Sequence, residues 1–225
     1  MYLSRVEIAI KNRQKTKDLT HLGAYHNWVE QSFPDEFDHH ERKRHLWRID
    51  RLAGKTYLLV LSEDQPDEDR LEKYGVPGTV LVKSYDQFID KIKSDEVMRF
   101  RLTANPSYSV LKPGEKRGRV YPHVTVEQQR RWLSDRSEKA GFKILQQPLV
   151  PDGHDNFAFD IVNRDHPILH RKSGRSIRLS RVTFEGLLQV QDLALFKDTL
   201  TEGMGREKAF GMGLMTVIPG AVSNE

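Results

Sequence analysis

Four glycines lie within eleven residues near the end of the chain, and two cations stand among them. The glycines are Gly203, Gly205, Gly211 and Gly213. Glycine at this density is typical of backbone that takes positive φ angles or approaches another surface closely. With Arg206 and Lys208 beside them, the pattern predicts contact with a phosphate, and a purely structural turn is the alternative. It is not a dinucleotide loop, because Lys208 stands where the third glycine of GxGxxG would be.

Positive charge is concentrated in two windows. Residues 112–131 hold six Lys or Arg and two Glu, and residues 164–181 hold six Lys or Arg and one Asp. The windows together carry +9, so the rest of the chain carries −5 of the total of +4. A localised basic face is typical of proteins that bind nucleic-acid phosphates, and ordinary solvated surface is the alternative.

Length and composition exclude several classes of protein. At 225 residues with 37% hydrophobic content, the chain can form two domains of about 100 residues each. No apolar run approaches the roughly 20 residues of a membrane-spanning helix, and the first residues do not form a signal peptide. The absence of cysteine excludes disulfides and a thiolate nucleophile. We therefore expect a soluble, cytoplasmic globular protein.

A metal centre is not predicted. His39, His40 and His45 flank a run of cations that would repel a metal ion, and no HExxH motif is present. His26 and Glu30 are spaced i,i+4, but two ligands do not make a site. We expect neither a metal nor a cofactor.

The first half of the chain predicts a ferredoxin-like domain. Alternation over residues 2–10 predicts a strand, and apolar spacing over residues 19–33 predicts a helix. The later elements are strands at 47–52 and 55–61, a helix that opens within 63–70, and a strand at 79–82. This β-α-β-β-α-β order is that of a ferredoxin-like unit, with two helices on one face of an antiparallel sheet.

The second half repeats this order. A strand at 97–103 is followed by a helix at 126–139, whose buried stripe we expect to include Val126, Trp132, Leu133 and Ala140. Strands at 142–150 and 177–190, a helix at 193–201 and a final strand at 214–218 complete it. We therefore predict an α+β protein with an N-terminal domain at residues 1–94 and a C-terminal domain at 95–225. Residues 169–177 are typical of a hairpin with a basic tip.

Six blocks of sequence, in order along the whole chain, resemble the CasE family. They are residues 1–6, 26–34, 100–106, 116–120, 182–186 and 203–219. These proteins are the CRISPR precursor-RNA endoribonucleases of type I-E systems and belong to the RAMP superfamily. Their two tandem ferredoxin-like, RRM-like domains agree with the pattern described above.

The resemblance implies metal-independent cleavage of a CRISPR repeat at the 3′ base of its stem-loop. The ribose 2′-hydroxyl attacks the adjacent phosphate and leaves a 2′,3′-cyclic phosphate and a 5′-hydroxyl. It also implies that the protein stays on its product as a subunit of the Cascade complex. A non-cleaving RNA-binding scaffold remains the alternative, whereas the lack of a helix-turn-helix pattern disfavours a DNA-binding regulator.

His26 matches the general acid/base histidine of that family, and the sequence leaves open whether it acts as acid or base. The family often places a tyrosine three residues earlier, where this chain has Gly23. Tyr25 is therefore a second catalytic candidate, although adjacent helical residues point about 100° apart.

The expected RNA contacts fall in three segments, and Phe210, within the third, is predicted to belong to the core. They are Lys112, Lys116, Arg117 and Arg119 in the first basic window, Arg171, Lys172, Arg175 and Arg178 in the second, and Gly203, Gly205, Arg206, Lys208, Gly211 and Gly213 in the glycine-rich segment.

If the basic windows form the RNA face, Lys116→Ala or Arg175→Ala weakens RNA binding and flattens its salt dependence, because each removes a phosphate contact. Binding titrations at several salt concentrations measure both quantities. Unchanged affinity and unchanged slope in both variants would reject these windows as the RNA face.

Overall fold

The structure is a computed structural model of the chain. It describes residues 1–39, 42–111, 113–114, 116–147, 155–169 and 176–220. The chain divides into two compact units. Unit 1 comprises Met1–Lys91, Ile168–Ile177 and Glu207–Leu214, and unit 2 comprises Ile92–Pro167, Arg178–Arg206 and Met215–Glu225. These units are not contiguous in sequence, unlike the predicted domains 1–94 and 95–225, because residues 207–214 pack with the first unit.

Unit 1 is built on a four-stranded antiparallel sheet in the order β2-β3-β1-β4. Its elements from the first 91 residues are β1 (Tyr2–Glu7), α1 (Arg13–Thr16), α2 (Leu22–Gln31), α3 (Pro34–Asp38), β2 (Leu46–Leu52), β3 (Lys55–Ser62), α4 (Glu68–Glu72), β4 (Leu81–Ser84) and α5 (Asp86–Ile89). The strands with α2 and α4 give the predicted β-α-β-β-α-β order. The short helices α1, α3 and α5 are additions to it.

Helix α2 is fixed at its start and along its buried face. The His21 Nδ1 atom accepts a hydrogen bond from the Ala24 N–H at 3.2 Å, which caps the first turn. Trp28 and Val29 are buried, and the indole Nε1 of Trp28 donates to the Leu71 carbonyl at 3.2 Å, so α2 is held to α4. This packing fixes which residues of α2 face outward.

Unit 2 has an antiparallel sheet in the order β13-β5-β12-β8, and β9 also pairs with β12. Its elements are β5 (Val97–Ala104), β6 (Ser107–Val110), β7 (Arg119–Pro122), α6 (Val126–Ser137), the 3-10 turn η1 (Glu138–Ala140), β8 (Phe142–Ile144), β9 (Phe159–Asp165), β12 (Arg181–Val190), α7 (Leu193–Glu202) and β13 (Met215–Pro219). When only β5, β8, β12 and β13 are counted in unit 2, both sheets have the strand order fourth-first-third-second, and β9 is an additional strand. The predicted fold class, two ferredoxin-like domains with antiparallel sheets, is confirmed.

Several local predictions for unit 2 differ from the structure. The strand expected at 142–150 ends at Ile144, and the strand expected at 177–190 is divided between Ile177–Arg178 and Arg181–Val190. No element was predicted at β6, β7 or β9. The ladder between β9 and β12 contains a register shift, which disturbs the regular alternation that sequence reasoning relies on. Val126 is 39% exposed rather than buried, because the buried residues of α6 begin one turn later at Gln129.

Two short pairs of strands frame the basic segments. In unit 2, β6 and β7 form a two-stranded ladder with Lys116 and Arg117 in the connection between them. The strands β10 (Ile168–Leu169) and β11 (Ile177–Arg178) pair on either side of the predicted basic tip. Within the described ranges, no helix has the length and apolar character needed to cross a bilayer.

Trp28→Ala is expected to lower the free energy of unfolding by about 3–5 kcal/mol, because it removes a fully buried aromatic side chain from unit 1. Leu52→Ala is the matched control, since Leu52 is 67% exposed and its truncation costs less than about 0.5 kcal/mol. Denaturant titration of both variants measures the difference. Equal losses would contradict this assignment of the core.

Candidate functional site

His26 lies in the middle of α2 with its ring partly open to solvent. One third of its side chain is exposed, and its Nδ1 atom lies 3.8 Å from Glu30 Oε1. The Phe210 ring lies against it, with 5.8 Å between ring centroids. Both neighbours belong to unit 1. The imidazole can therefore exchange protons with a bound molecule while a carboxylate and an aromatic ring define its position.

Tyr25 points away from His26. Residues 22–31 are helical throughout, so consecutive side chains diverge by about 100°. The Tyr25 ring packs 6.1 Å from the Trp47 ring and 6.3 Å from the Trp28 ring, centroid to centroid. Beside Gly23, where the family often has tyrosine, the His21 ring lies 3.0 Å from the position of an added Cβ. A catalytic role for Tyr25 stays a prediction.

A buried charged cluster lies behind His26. The imidazole of His45 is almost completely buried, with Nδ1 3.0 Å from Glu30 Oε1 and Nε2 2.9 Å from Glu36 Oε1. The Phe33 ring stacks on it at 3.9 Å. Burial raises the pKa of Glu30, but the hydrogen bond and charge of His45, with smaller contributions from His26 and Arg42, outweigh burial and bring that pKa below its ordinary value. Glu30 is thus an ionised carboxylate near neutral pH.

Strand β2 holds the part of the glycine-rich segment that belongs to unit 1. The indole Nε1 of Trp47 donates to the Ala209 carbonyl at 3.1 Å, and the buried guanidinium of Arg48 donates to the Leu214 carbonyl at 3.0 Å. Arg48 is itself fixed by two hydrogen bonds of 2.8 Å to Asp50. The 3-10 turn η2 (Lys208–Phe210) packs on α2 and β2, which places Phe210 against His26.

The two properties predicted for this segment, positive φ angles and close approach to another surface, are both found among its glycines. The φ angles of Gly203, Gly205, Gly211 and Gly213 are all positive. At Gly211 an added Cβ would lie 2.5 Å from the Trp47 ring, and at Gly205 it would lie 3.1 Å from the Trp132 ring. Any side chain at Gly211 would push against Trp47, whose indole anchors the segment.

Unit 2 carries its own cluster of cations. Arg206 follows Gly205 and lies close enough to Arg136 for their charges to interact. Burial lowers the pKa of Arg136, Arg206 lowers it further, and Asp135 acts in the opposite direction. The Arg136 guanidinium lies over the Trp132 ring at 4.7 Å. Two neighbouring guanidinium groups form a basic surface suited to phosphate.

The other predicted RNA contacts fall in several places. Lys116, Arg117, Arg119 and Arg178 are exposed in unit 2. Lys208, Gly211 and Gly213 belong to unit 1 with His26, whereas Gly203 and Gly205 belong to unit 2 with Arg206. The remaining predictions, Lys112, Arg171, Lys172 and Arg175, lie outside the described residues.

Comparison with known proteins agrees with this architecture. The model of the CRISPR-associated protein family matches residues 1–219. The chain belongs to this family. The CasE resemblance drawn from the six sequence blocks is confirmed as well.

The relatives match along their whole length. The chain is 28% identical over 224 residues to the CRISPR-associated endoribonuclease Cse3 of Thermus thermophilus, covering 97% of this chain and all of the relative. It is 27% identical over 232 residues to the CRISPR system Cascade subunit CasE of Escherichia coli, with the same coverage. Among solved structures it is similar to Cse3 bound to a 19-nucleotide RNA, with a TM-score of 0.79, 26% identity, and coverage of 97% of this chain and all of that one.

Sequence reasoning missed four residues around His26. His45 and Glu36 join it through contacts distant in sequence, Trp47 was assigned only to a strand, and Phe210 was predicted to be core but is only half-buried. The i,i+4 spacing of His26 and Glu30 was the one available signal. In the part of the chain that the structure describes, no three His, Asp or Glu side chains are arranged to hold a metal ion.

Gly211→Ala is expected to be more destabilising than Gly54→Ala. Both glycines have a φ of +76°, so each substitution costs about 1 kcal/mol of backbone strain, but only Gly211 would bring a methyl group into contact with Trp47. Overpacking adds about 1–3 kcal/mol. Urea titration of the two variants measures this difference. Equal loss of stability would show that the Trp47 contact does not constrain the segment.

Proposed function

We propose that this chain is an endoribonuclease that cuts precursor CRISPR RNA at the 3′ base of the repeat stem-loop. The family match over residues 1–219 supports this reading, and the observation that carries it is the position of His26, a partly exposed imidazole on α2 beside Phe210. Its relatives include an endoribonuclease and a Cascade subunit. On this proposal the chain keeps its product and becomes a subunit of Cascade, in the cytoplasm.

The reaction needs little from the protein, because RNA supplies its own nucleophile. The 2′-hydroxyl attacks the adjacent phosphorus and expels the 5′-oxygen of the next nucleotide, which forms the 2′,3′-cyclic phosphate. His26 moves a proton, either from the 2′-hydroxyl or to the leaving oxygen. The protein must also hold the two oxygens in line and stabilise the charge of the phosphorane. No metal ion is required for these steps.

Cationic side chains supply the RNA-binding energy in this proposal. The exposed Lys116, Arg117 and Arg119 contact phosphates of the stem, because the deep major groove of A-form RNA presents mainly phosphates and shape to a protein. Lys208, at the start of η2, lies on the same unit as His26 and is suited to the charge near the scissile phosphate.

His26→Ala is expected to lower the single-turnover rate of cleavage by at least about 100-fold with little change in RNA affinity, because a general acid or base is lost while the cations remain. His39→Ala is the matched control, since His39 is an exposed histidine of unit 1. Gel assays of cleavage and binding titrations on the repeat RNA measure both quantities.

A His26→Ala variant that cuts at the wild-type rate would move the active site elsewhere. Wild-type protein that binds the repeat tightly without cutting it would favour the non-cleaving scaffold, for which Gly23 in place of the family tyrosine would be the natural explanation.

A further inference from the structure

The His45 imidazole is bound between two carboxylates. Nδ1 faces Glu30 at 3.0 Å and Nε2 faces Glu36 at 2.9 Å. When both carboxylates are ionised, neither has a hydrogen to donate, so both ring nitrogens donate and the ring is an imidazolium. Its side chain is 1% exposed, with Phe33 stacked on one face. A buried charge of this kind persists only when it is paired and hydrogen-bonded, so His45 and both carboxylates form one unit.

Glu30 connects this buried unit to His26. The same oxygen, Oε1, that accepts from His45 lies 3.8 Å from His26 Nδ1. If Glu30 rotated away from His26, it would break its hydrogen bond to a buried cation, which is costly. The carboxylate is therefore held beside the exposed imidazole instead of moving freely in solvent as in an ordinary i,i+4 surface pair.

We propose that Glu30, fixed by His45, is a positioning residue for His26: it holds the ring in one orientation and places a carboxylate charge beside Nδ1, where that charge stabilises the protonated form of the ring. This inference rests on the proposed function, because Glu30 affects RNA cleavage only if His26 is the catalytic residue. His26 acts on the RNA, whereas Glu30 and His45 act only through His26.

The other charged groups around this pair can be named. His45 and Arg42 act on Glu30, and Lys208 begins η2, which packs on α2. All three are retained when only Glu30 is changed. Glu30→Gln therefore removes the carboxylate charge beside His26 at nearly constant side-chain shape.

NMR titration of the RNA-free protein tests the proposal directly. In Glu30→Gln the midpoint of the His26 ring titration is expected to fall by about 0.5–1 pH unit, the size expected for a charge near 4 Å in a largely aqueous setting. Glu68→Gln, which changes an exposed glutamate on α4, is the matched control and is expected to leave that midpoint unchanged. An unchanged midpoint in Glu30→Gln would overturn the proposal.

A measurement on the wild type keeps the test valid if Glu30→Gln does not fold. Coupled groups report each other's titration, so the Glu30 carboxyl carbon resonance is expected to show a second inflection at the midpoint of His26. This inflection should vanish in His26→Ala. A Glu30 resonance with no such inflection in the wild type would also overturn the proposal.

The rate of cleavage as a function of pH tests the role of Glu30 in the reaction. The part of the pH–rate profile that His26 controls is expected to move to lower pH in Glu30→Gln by the same amount as the NMR midpoint, whether His26 is acid or base. A shifted NMR midpoint together with an unchanged pH–rate profile would overturn the positioning role of Glu30. If the wild type does not cut the repeat RNA, the proposed function fails, and if His26→Ala cuts at the wild-type rate, the active site lies elsewhere. In both cases the NMR result still decides whether the carboxylate acts on His26.

Discussion

Two hydrogen bonds from strand β2 determine where the glycine-rich segment runs in unit 1. Trp47 and Arg48 are consecutive, buried, and donate to the Ala209 and Leu214 carbonyls, so they clamp a stretch of backbone that lies more than 160 residues away in sequence. Between the two bonds the chain needs a left-handed residue in contact with the Trp47 ring, and only glycine fits at Gly211. The same clamp places Phe210 beside His26. The position of Phe210 beside His26 thus depends on two hydrogen-bond donors of strand β2.

On the other side of His26, contacts between charged side chains, and not hydrogen bonds to the backbone, determine the structure. A buried imidazolium between two glutamates would be unstable if one partner were missing, so Glu30, Glu36 and His45 keep one another in place. This arrangement turns a common surface spacing, His and Glu four residues apart, into a fixed electrostatic contact. A partly exposed histidine then has a defined orientation before any RNA is bound, which lowers the reorganisation that the reaction must supply.

Elements that depend on local sequence patterns could be predicted from the sequence, whereas contacts between residues distant in sequence could not. Local patterns predicted the main strands and helices of both ferredoxin-like units, including the helix at 19–33 that contains α2. They missed β9, where the register shift in its ladder with β12 breaks the alternation. The catalytic assignment of His26 came from the resemblance to the CasE family and not from a local pattern. The contacts of His45 with Glu30 and of Trp47 with Ala209 produce no periodic pattern in the sequence, because each joins residues brought together only by the tertiary fold.

The most direct measurement is cleavage of the repeat RNA from the chain's own CRISPR locus in EDTA, beside the same RNA with a 2′-deoxy nucleotide immediately upstream of the scissile bond. The account predicts that the protein binds both RNAs but cuts only the first, leaving a 2′,3′-cyclic phosphate and a 5′-hydroxyl. Cleavage that stops in EDTA and returns with a divalent metal, or cleavage of the 2′-deoxy RNA, would contradict it.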